Sequence, residues 1–364
     1  MLPPTRRTAA HTAEIRGAFG NIPNKPFRYV RSLGLKTLAV PEYSEEAHAE
    51  ILQKVHAARR QDFIWLLGTV VADRPTRGWS GYMEVRTTNL PYETSIALPL
   101  PFVNLDPNNP SAIFTSLDFA ARQAANHGQQ YCPVTFDQPL FWKAADIMYQ
   151  SAPDSPLKCI ALGLGGFHLL MSFLESIGYI MMGSGLEEMW ELVYAANSVQ
   201  QLIGGHSSYR SMRAHYLTQV AMVRHTLNSF SGYFEERGVN CSDITAAFNR
   251  RLDVQPSLSE DIDSIPSIEN FLAAFEGLKT SPDIGRTGKL WLQYVSLVEM
   301  IRLFVRAERS GGWELHLYAV KAMLPLFPAA GHLNYAKSVP LYISLMESLK
   351  QRRGMFSFEA MMSH

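Results

Sequence analysis

Asp137, in the stretch TFDQP, follows a short apolar run and sits where a strand would hand over to a helix. A carboxylate at a strand end can hold a divalent ion, because Mg²⁺ takes hard oxygen ligands and usually draws only one or two from the protein. The same residue before a proline suits a helix N-cap, and the local pattern favours that plainer role. Further on, KCIALGLGGFHLL reads as strand, glycine turn and helix, the layout that holds a phosphate on a helix N-terminus. Gly163, Gly165 and Gly166 make G-x-G-G, but Leu169 stands where a dinucleotide fingerprint needs its third glycine. No Lys-Ser or Lys-Thr follows, so the turn is no P-loop, and a bend is its simplest meaning. His168 starts the helix after the turn and would face the edge of Asp137 if the two strands were parallel neighbours.

Two other groups carry chemical side chains. His316 and His332, with Asn334 and Tyr335, form a polar set in the last third, yet no H-x-x-x-H spacing puts two histidines on one helical face. No G-x-S-x-G elbow supports a hydrolase triad. Arg210, Arg213 and Arg224 share one face of a helix expected to begin near His206, which joins them. Such a basic stripe is a candidate for gripping the phosphates of DNA or RNA, since Arg suits that task. Charge at helical spacing more commonly marks a solvated face.

The elements that must position these residues are legible in outline. Residues 1–43 are rich in Pro, Arg and Gly without periodicity and read as an irregular arm. EEAHAEILQKVHAARRQDFIWLLGTVV has apolar spacing for one or two helices, whereas GYMEVRTT and SIALPLPFVNL carry strand-like runs broken by prolines. NPSAIFTSLDFAARQAANHG is a helix with Ser111 as expected N-cap and Gly128 as stop. CPVTFD, QPLFWKAADIMYQ, LKCIALGLGG and FHLLMSFLESIGYIMM then alternate strand, helix, strand, helix, the signature of a parallel pair with a crossover. The remainder is helical, interrupted by the acidic, Pro- and Ser-bearing run VQPSLSEDIDSIPSIEN. The fold class is therefore mixed α/β and mainly helical, with a small parallel or mixed sheet near 80–165. The expected organisation is an arm (1–43), an α/β core with a helical extension (44–253), a linker (254–287), a helical region packed on the core (288–350) and a tail (351–364).

Composition bounds the function. Lys+Arg and Asp+Glu are both 33, so any nucleic-acid contact must come from a local patch rather than a bulk basic excess. Cys132, Cys159 and Cys241 lack C-x-x-C spacing, and a sparse, odd count suits a reducing intracellular compartment, nuclear or cytoplasmic. The first twenty residues have no apolar segment for a secretory signal, and Pro3, Pro4 and Glu14 disfavour a mitochondrial presequence. The most apolar window, 160–174, is too short to span a bilayer, so no membrane partner is expected. The large apolar helical faces leave a homo-oligomeric, self-associating scaffold as one reading.

TFDQPLFWKA, LGGFHLLMSFLESIGYIMMGSGL and AAGHLNYAKSVPLYISLMESL, spread over about 98–349, resemble blocks of an uncharacterised eukaryotic family derived from mobile elements. The resemblance implies a ribonuclease-H-like core of the transposase type, in which strand-end carboxylates hold two metal ions for phosphoryl transfer. Under it, Asp137 and Gln138 match the acid-bearing block, Gly166 stands before Phe167 and His168 where relatives place an Asp, and Gly331, His332, Asn334, Tyr335 and Ala336 match the late block. The family pattern implies a further acid beyond this region, where the chain reads QRRGMFSFEAMMSH and Glu359 is the only late acid. A two-metal site needs several carboxylates to neutralise and bridge its cations. One matched acid implies a degenerate nuclease-like core without cofactor or catalytic activity, acting by binding nucleic acid or a protein. The alternative is an active, Mg²⁺-dependent nuclease or transposase using Asp137.

Overall fold

The computed structural model describes residues 21–30, 45–72, 76–87, 100–252 and 265–353. Within them the chain forms α1 (Glu45–Val71), α2 (Trp79–Thr87), α3 (Pro110–Asn126), β1 (Cys132–Phe136) and α4 (Gln138–Gln150). A 3-10 turn (Pro156–Cys159) leads into β2 (Ile160–Leu164), then α5 (Gly166–Ile180), α6 (Leu186–Glu191), α7 (Ala196–Ile203), α8 (Ser208–Ser229), α9 (Ser231–Glu235) and α10 (Cys241–Leu252). The helices α11 (Pro266–Thr280), α12 (Arg286–Ser310), α13 (Trp313–Met323), α14 (Leu326–Ala329) and α15 (Leu333–Arg353) complete the order. The structure is mostly helical with a small two-stranded parallel sheet. Among the described residues no helix is long and apolar enough to cross a membrane.

The chain divides into two compact units, each assembled from separated segments. Among the described residues, one takes 21–30, 100–176 and 306–353, and the other takes 45–72, 76–87, 177–252 and 265–305.

The first unit is built around β1 and β2, which pair in parallel from Cys132↔Ile160 to Phe136↔Leu164. β2 is buried on nearly every residue, as expected for a strand covered on both faces, whereas β1 alternates. Helices α3, α4 and α15 pack on the pair. α3 begins at Asn109, whose side chain accepts from Ser111 N, with Pro110 in the first turn, and it stops before Gly128 at φ 70°. Ser111 is thus not the cap; its hydroxyl accepts from Phe27 N at 3.0 Å. Residues 21–30 of the expected arm are an extended strap on α3 and α4, held also by Tyr29 Oη donating to Asp146 at 2.8 Å. The rest of the arm, the 354–364 part of the tail and residues 254–264 of the acidic run lie outside the described residues.

A buried polar hub ties α4 to α15. The Ser338 hydroxyl accepts from Gln138 Nε2 (2.9 Å) and Trp142 Nε1 (2.6 Å) and donates to Asn334 O (2.8 Å). Both lone pairs and the proton are used, so the hydroxyl is saturated.

The second unit has a polar centre of a different kind. The Arg302 guanidinium, fully buried, lies 5.2 Å from the ring centroids of both Trp65 and Tyr216 and donates to Gln219 Oε1. Glu299, also buried, accepts from Arg59 (2.6 Å) and Lys279 (3.4 Å). A buried charge is tolerated only when paired or solvated by protein dipoles, and aromatic faces supply part of that solvation here.

Two expectations fail here. Residues 81–87 of GYMEVRTT are helical, within α2, because Trp79 is buried and donates Nε1 to Asp62 at 2.8 Å, an anchor that outweighs their strand-like composition; residue 88 lies outside the described residues. Among the described residues the sheet therefore begins at Cys132 rather than near 80. Of SIALPLPFVNL, 95–99 lie outside the described residues, and the described part makes only an isolated bridge, Asn21↔Phe102. The stretch read as a linker, 254–287, includes α11, whose Ile268, Phe271 and Phe275 are core residues.

Two stability measurements test these interiors. Ser338→Ala orphans the Gln138 and Trp142 donors, and urea unfolding should show a loss of about 2 kcal/mol or more, whereas Ser338→Thr should retain much of it. His215, fully buried with Nδ1 2.9 Å from Tyr294 Oη, has its pKa lowered by burial to about 3. A depressed folded pKa means that the unfolded chain binds the proton first as pH falls. Its contribution is complete above about pH 6.5 and drains away between there and pH 3, at up to about 1.4 kcal/mol per pH unit. Denaturation curves across that window should show a shallower slope for His215→Gln.

Candidate functional site

The site expected from the sequence lies at the carboxyl ends of the two parallel strands, in the first unit. β1 ends at Phe136 and passes directly to Asp137; β2 ends at Leu164, and a single glycine, Gly165, separates it from α5. Gly165 N donates to Phe136 O at 2.7 Å, which draws the two exits together. A side chain at Gly165 would stand 3.0 Å from Phe136 O and 3.7 Å from Asp137 Cα, a crowded fit that the β1 backbone would have to yield to, and glycine avoids it.

Asp137 is exposed and extended (φ −65°, ψ 169°), and its carboxylate accepts from Leu140 N at 3.2 Å. It caps α4, the plainer of its two expected roles, although an exposed carboxylate keeps lone pairs for other partners. Gly166, the first residue of α5, faces a carboxylate from a distant part of the chain. A Cβ there would lie 2.9 Å from Glu308 Oε2 and 3.3 Å from Oε1. Glu308 thus occupies the space of a residue-166 side chain, at the end of a helix where backbone N–H groups favour negative charge. The glycine turn bends the chain and admits an internal carboxylate.

Glu308 belongs to a relay into the interior. Its Oε1 lies 2.6 Å from Nδ1 of buried His316, and His316 Nε2 lies 3.0 Å from Tyr342 Oη. The carboxylate lies against Nδ1 as a close polar contact, and Nε2 shares a hydrogen bond with the tyrosine hydroxyl whose direction follows the imidazole tautomer. Trp313 stacks on His316 at 5.2 Å with an interplanar angle of 15°. Burial, reinforced by the Glu308 charge, pushes the Tyr342 phenol well above its usual range.

The late block comes to the same strand-end region in part. Tyr335 is buried and stacked on Phe327 at 5.4 Å; burial, against a hydrogen bond with Ser172 and with the nearby Asp137 charge, pushes its phenol up to about 12. His332 Nε2 lies 3.7 Å from Glu175 Oε2, so the expected grouping of His316 with His332 is divided between two acids, Glu308 and Glu175. Asn334 serves through its backbone carbonyl, which accepts from Ser338. Gln138 serves the same hub and is structural. His168 and Phe167 are both exposed and touch each other edge-on at 5.4 Å. Among the described residues no three His, Cys, Asp or Glu side chains converge as a metal-binding group. Glu359 lies outside the described residues.

The basic stripe divides as well. Arg210 and Arg213 are exposed, one turn apart on α8. His206 is exposed but precedes the helix, which starts at Ser208. Arg224 donates to Val70 O (3.0 Å) and Thr69 O (3.4 Å), satisfying carbonyls at the C-terminal end of α1. That helix-capping task removes it from a free phosphate-gripping set.

Sequence reasoning missed Glu308 and Ser338. Glu308 sits in RAERSGG, with no motif around it, and only the folded chain brings it to Gly166. Ser338 lies in NYAKSVPLYI, where a small hydroxyl one residue before an apolar run is the available signal. The Gly166–Glu308 contact has a measurable consequence. Gly166→Ala must push the carboxylate off His316 and should cost about 1 kcal/mol in urea unfolding; in a Glu308→Ala background the cost should vanish.

No curated protein and no solved structure matches the chain. The family described as a domain of unknown function, DUF8702, matches residues 78–364, and the chain belongs to that family.

Proposed function

We propose that this protein is a mobile-element-derived binding protein whose parallel strand pair is the remnant of a ribonuclease-H-like core without nuclease activity. The observation that supports this reading is how the strand-end carboxylates are employed. Asp137 caps α4, position 166 offers no side chain, and Glu308 is paired with His316. Two divalent cations held for in-line phosphoryl transfer need bridging and flanking carboxylates free to coordinate, and this edge spends its acids on the protein. Binding falls to the exposed face of α8, where Arg210 and Arg213 project, with exposed His206 two residues before the helix. Guanidinium groups one turn apart suit successive phosphates of a single strand or one groove wall.

The test joins affinity and cleavage. Fluorescence anisotropy with a labelled oligonucleotide should show binding that weakens as salt rises. Arg210→Ala/Arg213→Ala should lower the magnitude of the log–log salt slope by about 2, whereas Arg210→Lys/Arg213→Lys should preserve it. An unchanged slope removes the α8 face from the proposal. Glu308 beside Gly166 favours a second reading, in which it is an acid of an active site shared with Asp137. Mg²⁺-dependent cleavage of plasmid DNA, lost in both Asp137→Ala and Glu308→Gln, would establish that enzyme instead; intact plasmid is the result expected here.

A further inference from the structure

The three cysteines are not equivalent. Cys241 is exposed, at the start of α10, whereas Cys132 and Cys159 are half-buried at the amino ends of the paired strands. Register brings those two together: Cys132, the first residue of β1, pairs with Ile160, and Cys159 is the residue before it. Adjacent strands lie about 4.8 Å apart and each residue advances about 3.3 Å, which separates the two Cα atoms by roughly 5–6 Å, within the span of a disulfide. Cys159 closes a 3-10 turn rather than continuing a strand, so strict strand alternation does not force its side chain away from Cys132.

We propose that Cys132 and Cys159 form a reversible disulfide that staples the start of β1 to the entry of β2. The oxidant is a small disulfide of the glutathione type. One protein thiolate attacks a glutathione sulfur and expels a glutathione thiolate; the second protein thiolate then attacks the mixed disulfide and expels the other half. One S–S bond breaks and one forms, two thiol protons leave, and the oxidant gains the two electrons that the protein loses. Burial, with the adjacent Cys159 thiolate second, pushes the Cys132 thiol up to about 11, so the exchange is slow at neutral pH and quickens in alkali. The bond closes a loop that contains α4, at the end of the sheet opposite Asp137 and Gly166. A two-stranded sheet is marginal alone, so a covalent tie at its open end stabilises the pair without touching its other edge.

The experiment uses the full chain in a mildly alkaline buffer of oxidised and reduced glutathione, brought to equilibrium and quenched with acid. The expected product is a monomer lighter by about 2 Da, restored by dithiothreitol. Its non-reduced digest should contain a Cys132–Cys159 peptide pair, while Cys241 remains separate. Cys132→Ser should instead retain glutathione on Cys159, a trapped half-reaction that a merely buried thiol does not give. Unchanged mass in the most oxidising buffer, a persistent glutathione adduct on the unaltered chain, or a linkage to Cys241 or to a second copy overturns the proposal.

Discussion

The close passage of Gly165 and Gly166 over the end of β1, with the Glu308 carboxylate filling the space beside them, is the constraint that shapes the strand-end edge. It joins β2 to α5 with one intervening residue and holds the two exits in hydrogen-bonding contact. It also sets the electrostatics of that edge. A helix start in need of negative charge receives it from within the chain, and Glu308 is fixed by a buried imidazole and, through it, a buried phenol. An external anion entering here would meet a resident competitor.

The two units secure polar groups in their interiors by opposite means. In the first, Ser338 collects two donors from residues far away in sequence and donates to the Asn334 carbonyl one turn earlier on its own helix, a neutral hub whose hydroxyl uses both lone pairs and its proton. In the second, Arg302 is enclosed by Trp65, Tyr216 and Gln219, with the paired acid Glu299 buried on the same helix. Neutral hubs lose a moderate amount when one partner is removed; a buried cation stripped of its surroundings is far more costly. Substitutions around Arg302 are therefore expected to harm the fold more than changes at the exposed Arg210 and Arg213.

The strand–helix–strand–helix order from Cys132 to Ile180 was legible because each segment has one dominant signal. Apolar runs of strand length end at Asp137 and at glycines, and Pro139 marks a helix start. The capping role of Asp137 was legible for the same reason, since a cap is a local interaction. What escaped is non-local. Trp79 turns a strand-like text into helix through Asp62, and Arg224 leaves a surface stripe to cap α1. Glu308 reaches Gly166 across most of the second half of the chain. α11 was hidden because its amphipathic spacing, with Phe271 and Phe275, follows a Pro- and Ser-rich run that imitates a linker. Pattern reading sees neighbours along the chain, and these outcomes depend on neighbours in space.

The interleaving of the two units bears on biosynthesis. A ribosome delivers β1, α4 and β2 well before α15, the helix that packs on β2 and carries Ser338. In the interval Ile160, Ala161, Leu162 and Leu164, buried in the finished protein, lack that cover, and Gln138 and Trp142 lack their acceptor. Closing so long a chain segment is entropically slow, and exposed strands attract one another meanwhile. Nascent chains halted after β2 should therefore depend on molecular chaperones until translation resumes.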